Sequence, residues 1–154
     1  MAKKIQYLVI HCTDTPAGRE VSAADIRDWH LSPAPRGRGW RQVGYTDLVH
    51  LDGRITRLID NNEDGAVDTW EISNGVAGIN NVSRHIVYSG GGKGVDTRTA
   101  AQRFALEAYV LDFVARFPWV KVGGHTQFDR GKPCPSFDVR RWLIEIGVAE
   151  VNIY

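Results

Sequence analysis

Ile5-Gln6-Tyr7-Leu8-Val9-Ile10-His11 (IQYLVIH) is the stretch from which the fold is read. It is a β-branched, nearly unbroken apolar run, the signature of a strand buried inside a sheet. A polar loop, Thr13 to Gly18, follows it. Ser22, with Asp25 three residues on, predicts the start of a short helix ending near Trp29-His30. Leu31 to Trp40 (LSPAPRGRGW) holds two prolines and two glycines and reads as a loop. Tyr45–His50 and Arg54–Ile59 flank Leu51-Asp52-Gly53, a hairpin with an Asp-Gly turn. Asn61 to Asn81 is polar, Gly-rich and irregular, and Arg84 to Ser89 is a further strand before Gly90-Gly91-Gly92. Thr99 and Gln102 form a capping-box pattern opening a helix that Pro118 ends near Phe117, with Phe104, Ala108, Leu111 and Ala115 as its core face. Trp119–Val122 reads as a short strand, and Ser136 as the cap of a last helix, Phe137–Ile146, stopped by Gly147.

The order β-α-ββ-β-α-β-α predicts an α/β fold, a mixed, mostly central β-sheet flanked by about three α-helices. At 154 residues, one domain spanning residues 1–154 is expected. Hydrophobic residues are 43% and charged residues 24%, an ordinary globular mix that excludes a disordered chain. Lys and Arg number 19 against 18 Asp and Glu, so the chain is no polycation made to coat nucleic acid or an anionic membrane. The most apolar stretch, Ala105–Phe117, is broken by Glu107, Asp112 and Arg116 and is too short to span a bilayer. The apolar run after Lys3-Lys4 is too short for a signal peptide, so synthesis in the cytoplasm is expected. Two cysteines, Cys12 and Cys134, make no disulfide framework.

His11, His125 and Cys134 stand out as a set. His11 closes the first strand, His125 follows Gly123-Gly124 at a late strand end, and Cys134 lies between two prolines before the last helix. Strand ends opening into loops are where α/β sheets place their sites. Two imidazoles and a thiolate suit zinc, and three protein ligands leave a fourth position for water. From spacing alone a second reading stands beside this one: satisfied rim histidines and a small packed cysteine.

Four ordered motifs bear on the choice: Val9-Ile10-His11-Cys12-Thr13, Ile26-Arg27-Asp28-Trp29-His30, Val43-Gly44-Tyr45 and Pro133-Cys134-Pro135-Ser136-Phe137-Asp138. With Gly124-His125-Thr126 and Lys132, they make the chain resemble the zinc-dependent N-acetylmuramoyl-L-alanine amidases of the phage-lysozyme type, relatives of the peptidoglycan recognition proteins. The resemblance runs from about Ile5 to Trp142. It implies one zinc ion per chain on His11, His125 and Cys134, and catalytic roles for Tyr45 and Lys132. It further implies cleavage of the amide between N-acetylmuramic acid and L-alanine of peptidoglycan. Thr46 and Asn74 stand where the family often has cleft histidines, and are the candidate substrate contacts. Residues 31–39 form a longer loop than the phage enzymes have. What is expected is thus an endolysin-like monomer with no nucleic-acid or membrane partner, acting on the wall after release. The alternatives are a muropeptide-binding module without catalysis, and a phage regulatory protein binding a polymerase.

The remaining candidates read as structural. Cys12 points away from His11 on the strand and packs. His30 is a buried structural residue, His50 faces solvent on the hairpin, and His85 packs or hydrogen-bonds within its strand. Arg36, Arg38, Trp40 and Arg41 form a solvated loop, with contact to anionic wall polymer the second reading. Glu63, Asp64 and Asp68 do not have calcium-loop spacing and form a solvated turn.

Overall fold

The computed structural model describes residues 1–154. In chain order it contains β1 (Lys3–Lys4), β2 (Tyr7–Cys12), α1 (Ala23–Leu31), β3 (Asp47–Val49), β4 (Ile55–Arg57), β5 (Ala66–Val67), β6 (Ser83–Tyr88), α2 (Ala100–Arg116), β7 (Lys121–Gly124), α3 (His125–Phe128) and α4 (Val139–Glu145). Five strands form the central sheet in the order β4-β3-β6-β2-β7, while β1 and β5 pair separately. Only β3–β4 is antiparallel within it; β3–β6, β6–β2 and β2–β7 are parallel. The sheet is therefore mixed and the chain α/β, as the element order predicts. β2 is an interior strand, paired on both edges, which is why it reads as a nearly unbroken apolar run.

Strand alternation sends side chains to two layers. Leu8, Ile10 and Cys12 of β2, with Ile86 and Tyr88 of β6, pack on Leu106, Val110 and Phe113 of α2 and on Trp142 and Leu143 of α4. The opposite face is a smaller cluster, including Val87, Leu48 and Ile26 of α1. His11 and His85 lie on that second face.

Both predicted capping boxes form: Ser22 with Asp25, and Thr99 with Gln102. The turn at Gly53 has φ +86°, a conformation natural to glycine. Four expectations are corrected. In α2 the buried residues are Gln102, Leu106, Val110 and Phe113, whereas Phe104 is 75% exposed. The helix carries two apolar stripes. The one that faces the sheet runs through its larger side chains, and it tolerates Gln102 because its Nε2 donates to Ser89 O at 2.9 Å. Ser136 does not cap the last helix: its φ is +68°, incompatible with an extended N-cap residue, and its hydroxyl donates to Gly91 O at 2.7 Å. Asp138 is the cap instead. His50 is buried, its ring nitrogens 3.0 Å from Glu20 Oε1 and 2.6 Å from Thr56 Oγ1, because β3 is an interior strand and the segment ending at Glu20 covers it. The late strand is shifted to Lys121–Gly124, because Trp119 instead turns its indole N–H to Ile5 O at 2.7 Å.

The buried stripe of α2 is directly testable. Leu106→Ala should cost about 2–5 kcal/mol of stability through lost burial and a cavity. Phe104→Ala should stay within about 0.5 kcal/mol. Urea unfolding of both variants measures this; equal losses would contradict the packing described.

Candidate metal centre and active-site groove

The centre is built by parallel strands that end on one edge of the sheet. β2 delivers His11 there. Pairing of Ile10 with Gly124 brings β7 alongside, so His125, the next residue, stands beside His11 with ring centroids 4.8 Å apart. Cys134 arrives on the loop between α3 and α4. Its carbonyl accepts from Thr126 N at 2.8 Å, and its sulfur accepts from the Cys12 backbone N–H at 3.2 Å. This loop packs so closely on β7 that a Cβ at Gly124 would sit 2.7 Å from Val139 Cγ2 and 2.8 Å from Pro135 Cδ. Only glycine fits there. The donor atoms of His11, His125 and Cys134 all lie within 4.8 Å of one another, a set that can hold a metal ion. The Cys134 sulfur is 3.7 Å from His11 Nδ1.

The electrostatics suit ligation. Burial, helped by neighbouring His85, His125 and His30, holds the His11 pKa well below the ordinary histidine value. Burial also lowers that of His125, with Lys132 adding to it and Asp129 opposing. Both imidazoles are neutral at pH 7 and have lone pairs to offer. The adjacent Cys12 thiol and burial push the Cys134 thiol up, so this sulfur ionises when a cation takes it. Cys12 itself is 4% exposed and belongs to the α2-side core, the packing role expected of it.

A groove of about 750 Å³ runs over this edge. Tyr45 lines it, its ring 5.1 Å from that of His11, and burial together with the two thiols raises its pKa, so it is a neutral phenol. Lys132 also lines it. It is exposed and makes no ion pair, since Asp138 caps α4 and Asp129 Oδ1 accepts from Gly131 N. Asn74 is on the groove wall, its Nδ2 donating to Gln42 O at 2.9 Å. Thr46 is not. It is 2% exposed behind the wall, where its N–H donates to His85 O at 2.8 Å and its hydroxyl accepts from His85 N at 3.3 Å. Its burial behind the wall keeps the side chain out of the groove.

Sequence reasoning missed the groove's second wall. Arg38, Trp40 and Arg41 line it: the two arginines are exposed, as the solvated-loop reading has it, and Trp40 is half-buried. Trp40 packs on His30 with centroids 4.8 Å apart, and the Arg38 guanidinium lies 5.1 Å from the indole. A tryptophan amid arginines was the available signal, since a large aromatic ring usually finds cover. His30 is the buried structural residue expected: its Nδ1 accepts from Gly44 N at 3.0 Å and so holds the turn that presents Tyr45. Burial and the Arg38 charge lower its pKa to about 4. His85, fully buried, places its Nδ1 2.8 Å from His11 Nε2.

The chain matches the family model described as N-acetylmuramoyl-L-alanine amidase over residues 1–137. It is 27% identical to the endolysin of Klebsiella phage KP32 over 144 residues, covering 91% of this chain and 86% of that one. It is likewise 27% identical to the endolysin of Escherichia phage T7 over 139 residues, covering 88% and 83%. Among solved structures it superposes on the N-acetylmuramoyl-L-alanine amidase LysC from Clostridium intestinale with a TM-score of 0.72 at 19% identity, covering 95% of this chain and 87% of that one. The Ph2119 endolysin from a Thermus scotoductus bacteriophage gives 0.70 at 25% identity, covering 94% and 86%. With the family model matched over most of its length, and a His, His, Cys cluster at the head of the groove, the chain belongs to the N-acetylmuramoyl-L-alanine amidase family.

Proposed function

We propose that this protein is a zinc-dependent lysin that hydrolyses the amide between N-acetylmuramic acid and L-alanine in peptidoglycan. The observation that carries this is the His11, His125 and Cys134 donor cluster opening onto a groove, in a chain of the amidase family. Description of its phage relatives as endolysins supports action on the wall. The donors suit zinc: ligand bonds of about 2.3 Å to sulfur and about 2.0–2.1 Å to nitrogen, at a tetrahedral angle, put the two atoms roughly 3.5 Å apart. His11 Nδ1 and the Cys134 sulfur are 3.7 Å apart. When bound, zinc supplies Lewis acidity and lowers the pKa of water to about 7.

The chain's own side chains do the rest. As water adds to the scissile carbonyl carbon, negative charge collects on its oxygen. Lys132, a cation that makes no ion pair, stabilises that charge as substrate fills the groove and excludes water. Tyr45 acts as a neutral hydrogen-bond donor that orients the attack, since its raised pKa rules out a resting phenolate. The bond to nitrogen then breaks, and the proton lost by water ends on the departing L-alanine amine. Asn74, with its Nδ2 committed to Gln42 O, offers its carbonyl oxygen to a peptide N–H. Arg38 and Arg41 give the far wall a positive charge for the carboxylates of the stem peptide.

Cys134→Ala should lose the zinc while remaining folded, and Cys12→Ala should keep it. Elemental analysis of the purified proteins decides this, and full retention in Cys134→Ala would remove the assignment. Lys132→Ala should bind zinc normally and lose on the order of 10²-fold in kcat with little change in KM. Tyr45→Phe should lose less. Stem-peptide release from purified wall, with zinc content measured in parallel, tests both; wild-type turnover in zinc-replete Lys132→Ala would exclude Lys132 from the reaction.

A further inference from the structure

β2 and β6 pair in parallel with Val9 opposite His85 and His11 opposite Val87. His85 and His11 therefore share one face of the sheet, one pleat apart. His85 is fully buried, and its Nδ1 lies 2.8 Å from His11 Nε2. The other nitrogen of His11, Nδ1, faces the Cys134 sulfur at 3.7 Å. A neutral imidazole that ligates through one nitrogen carries its proton on the other. Ligation through Nδ1 thus requires that His11 Nε2–H donate, and His85 Nδ1 is the acceptor in place. That fixes the His85 proton on Nε2, a buried atom with no hydrogen-bond partner. If the bond ran the other way, with His85 donating, the His11 proton would sit on Nδ1, against Cys134, and the donor set would be closed. The direction of one hydrogen bond decides whether the centre can take a metal.

The His85 ring cannot turn away to escape its orphan nitrogen. Thr46 holds its backbone on both sides, accepting from its N–H and donating to its carbonyl. Gly75 lies against the ring so closely that a Cβ there would stand 2.2 Å from His85 Nδ1. Gly75 is in turn tied down by its N–H, which donates to Asn80 Oδ1 at 3.0 Å. A buried polar group left half satisfied, in a clamped ring, marks a functional constraint rather than a packing convenience.

We propose that His85 is a positioning residue for the metal centre: its Nδ1 accepts the His11 Nε2 proton and so holds His11 Nδ1 unprotonated and aimed at the ion. This rests on the proposed role of His11 as a zinc ligand. It is tested by His85→Leu, which fills the space without an acceptor, and His85→Asn, whose Oδ1 can take the place of Nδ1. Zinc affinity is read by competition with a chromophoric chelator, thermal stability on the zinc-free proteins, and the His11 tautomer from long-range ¹H–¹⁵N spectra of the zinc-free wild type. We expect His85→Leu to bind zinc about 10–100-fold more weakly, the range found for lost outer-shell partners. His85→Asn should recover most of that affinity, and His11 should carry its proton on Nε2. Undiminished affinity in His85→Leu would overturn the proposal. So would equal weakening in both variants when both are folded, or a His11 proton on Nδ1. If His85→Leu fails to fold, His85→Asn and the wild-type spectrum still decide. Wild-type protein that binds zinc but leaves purified wall intact would defeat the hydrolytic reading alone. Wild-type protein that binds no zinc would defeat the metal assignment, and this proposal with it.

Discussion

Parallel pairing of β2 between β6 and β7 is the constraint on which the rest depends. Because all three strands run the same way, their C-terminal ends share one edge, where His11 and His125 meet. Because side chains alternate along β2, register decides which residue faces which layer. A slip by one residue would turn Cys12 toward the groove and bury His11 against α2. The core and the chemistry are thus specified by the same pattern: Leu8, Ile10 and Cys12 are drawn to the larger apolar layer, and His11 is left on the other face.

The third donor sits on a loop and needs other means of placement. Tyr88, fully buried in β6, donates its hydroxyl to Pro135 O at 2.6 Å, one residue from Cys134. Ser136 ties the same loop to Gly91, and the Arg98 guanidinium lies 3.4 Å over the Phe137 ring. These buried polar contacts link Cys134 to β6 and to the glycine turn after it, in a low-dielectric setting where well-made bonds rigidify a network. A similar device ties the hairpin to α2: Asp47, 1% exposed, accepts from Arg57 Nε at 2.7 Å and from the Tyr109 hydroxyl at 2.7 Å. Buried ions of this kind cost desolvation, so their value lies in fixing one arrangement more than in added stability.

Features governed by neighbours in the chain were legible. The apolar β2, the Asp-Gly hairpin and the two capping boxes are local patterns, and each forms. The grouping of His11, His125 and Cys134 was legible because the ordered motifs singled them out, and the fold brings their donor atoms together. What escaped the sequence depends on distant partners. The sheet-facing stripe of α2 could not be told from Phe104, Ala108 and Leu111 without knowing where the sheet lies. His50 owes its burial to Glu20, 30 residues away, and Ser136 owes its backbone angle to the packing of the Cys134 loop. His85 read as an ordinary strand residue because the atom that gives it meaning belongs to a strand 74 residues earlier. Thr46 looked like a cleft residue from its place after Gly44-Tyr45, yet alternation turns it inward.

The order in which the donors appear along the chain has a consequence for the timing of synthesis. Cys12 and Ser83 are 71 positions apart (83 − 12), so the interior strand leaves the ribosome long before its first neighbour. At about 5–20 residues per second, that wait is roughly 4–14 s. An apolar strand with open edges is a hazard for association during that time, and the charges beside it, Lys3, Lys4 and Asp14, are of the kind that discourage it. The donor set stays incomplete until residue 134 has emerged. A product cut short before that residue lacks the sulfur donor altogether, so the set of three is never assembled in it.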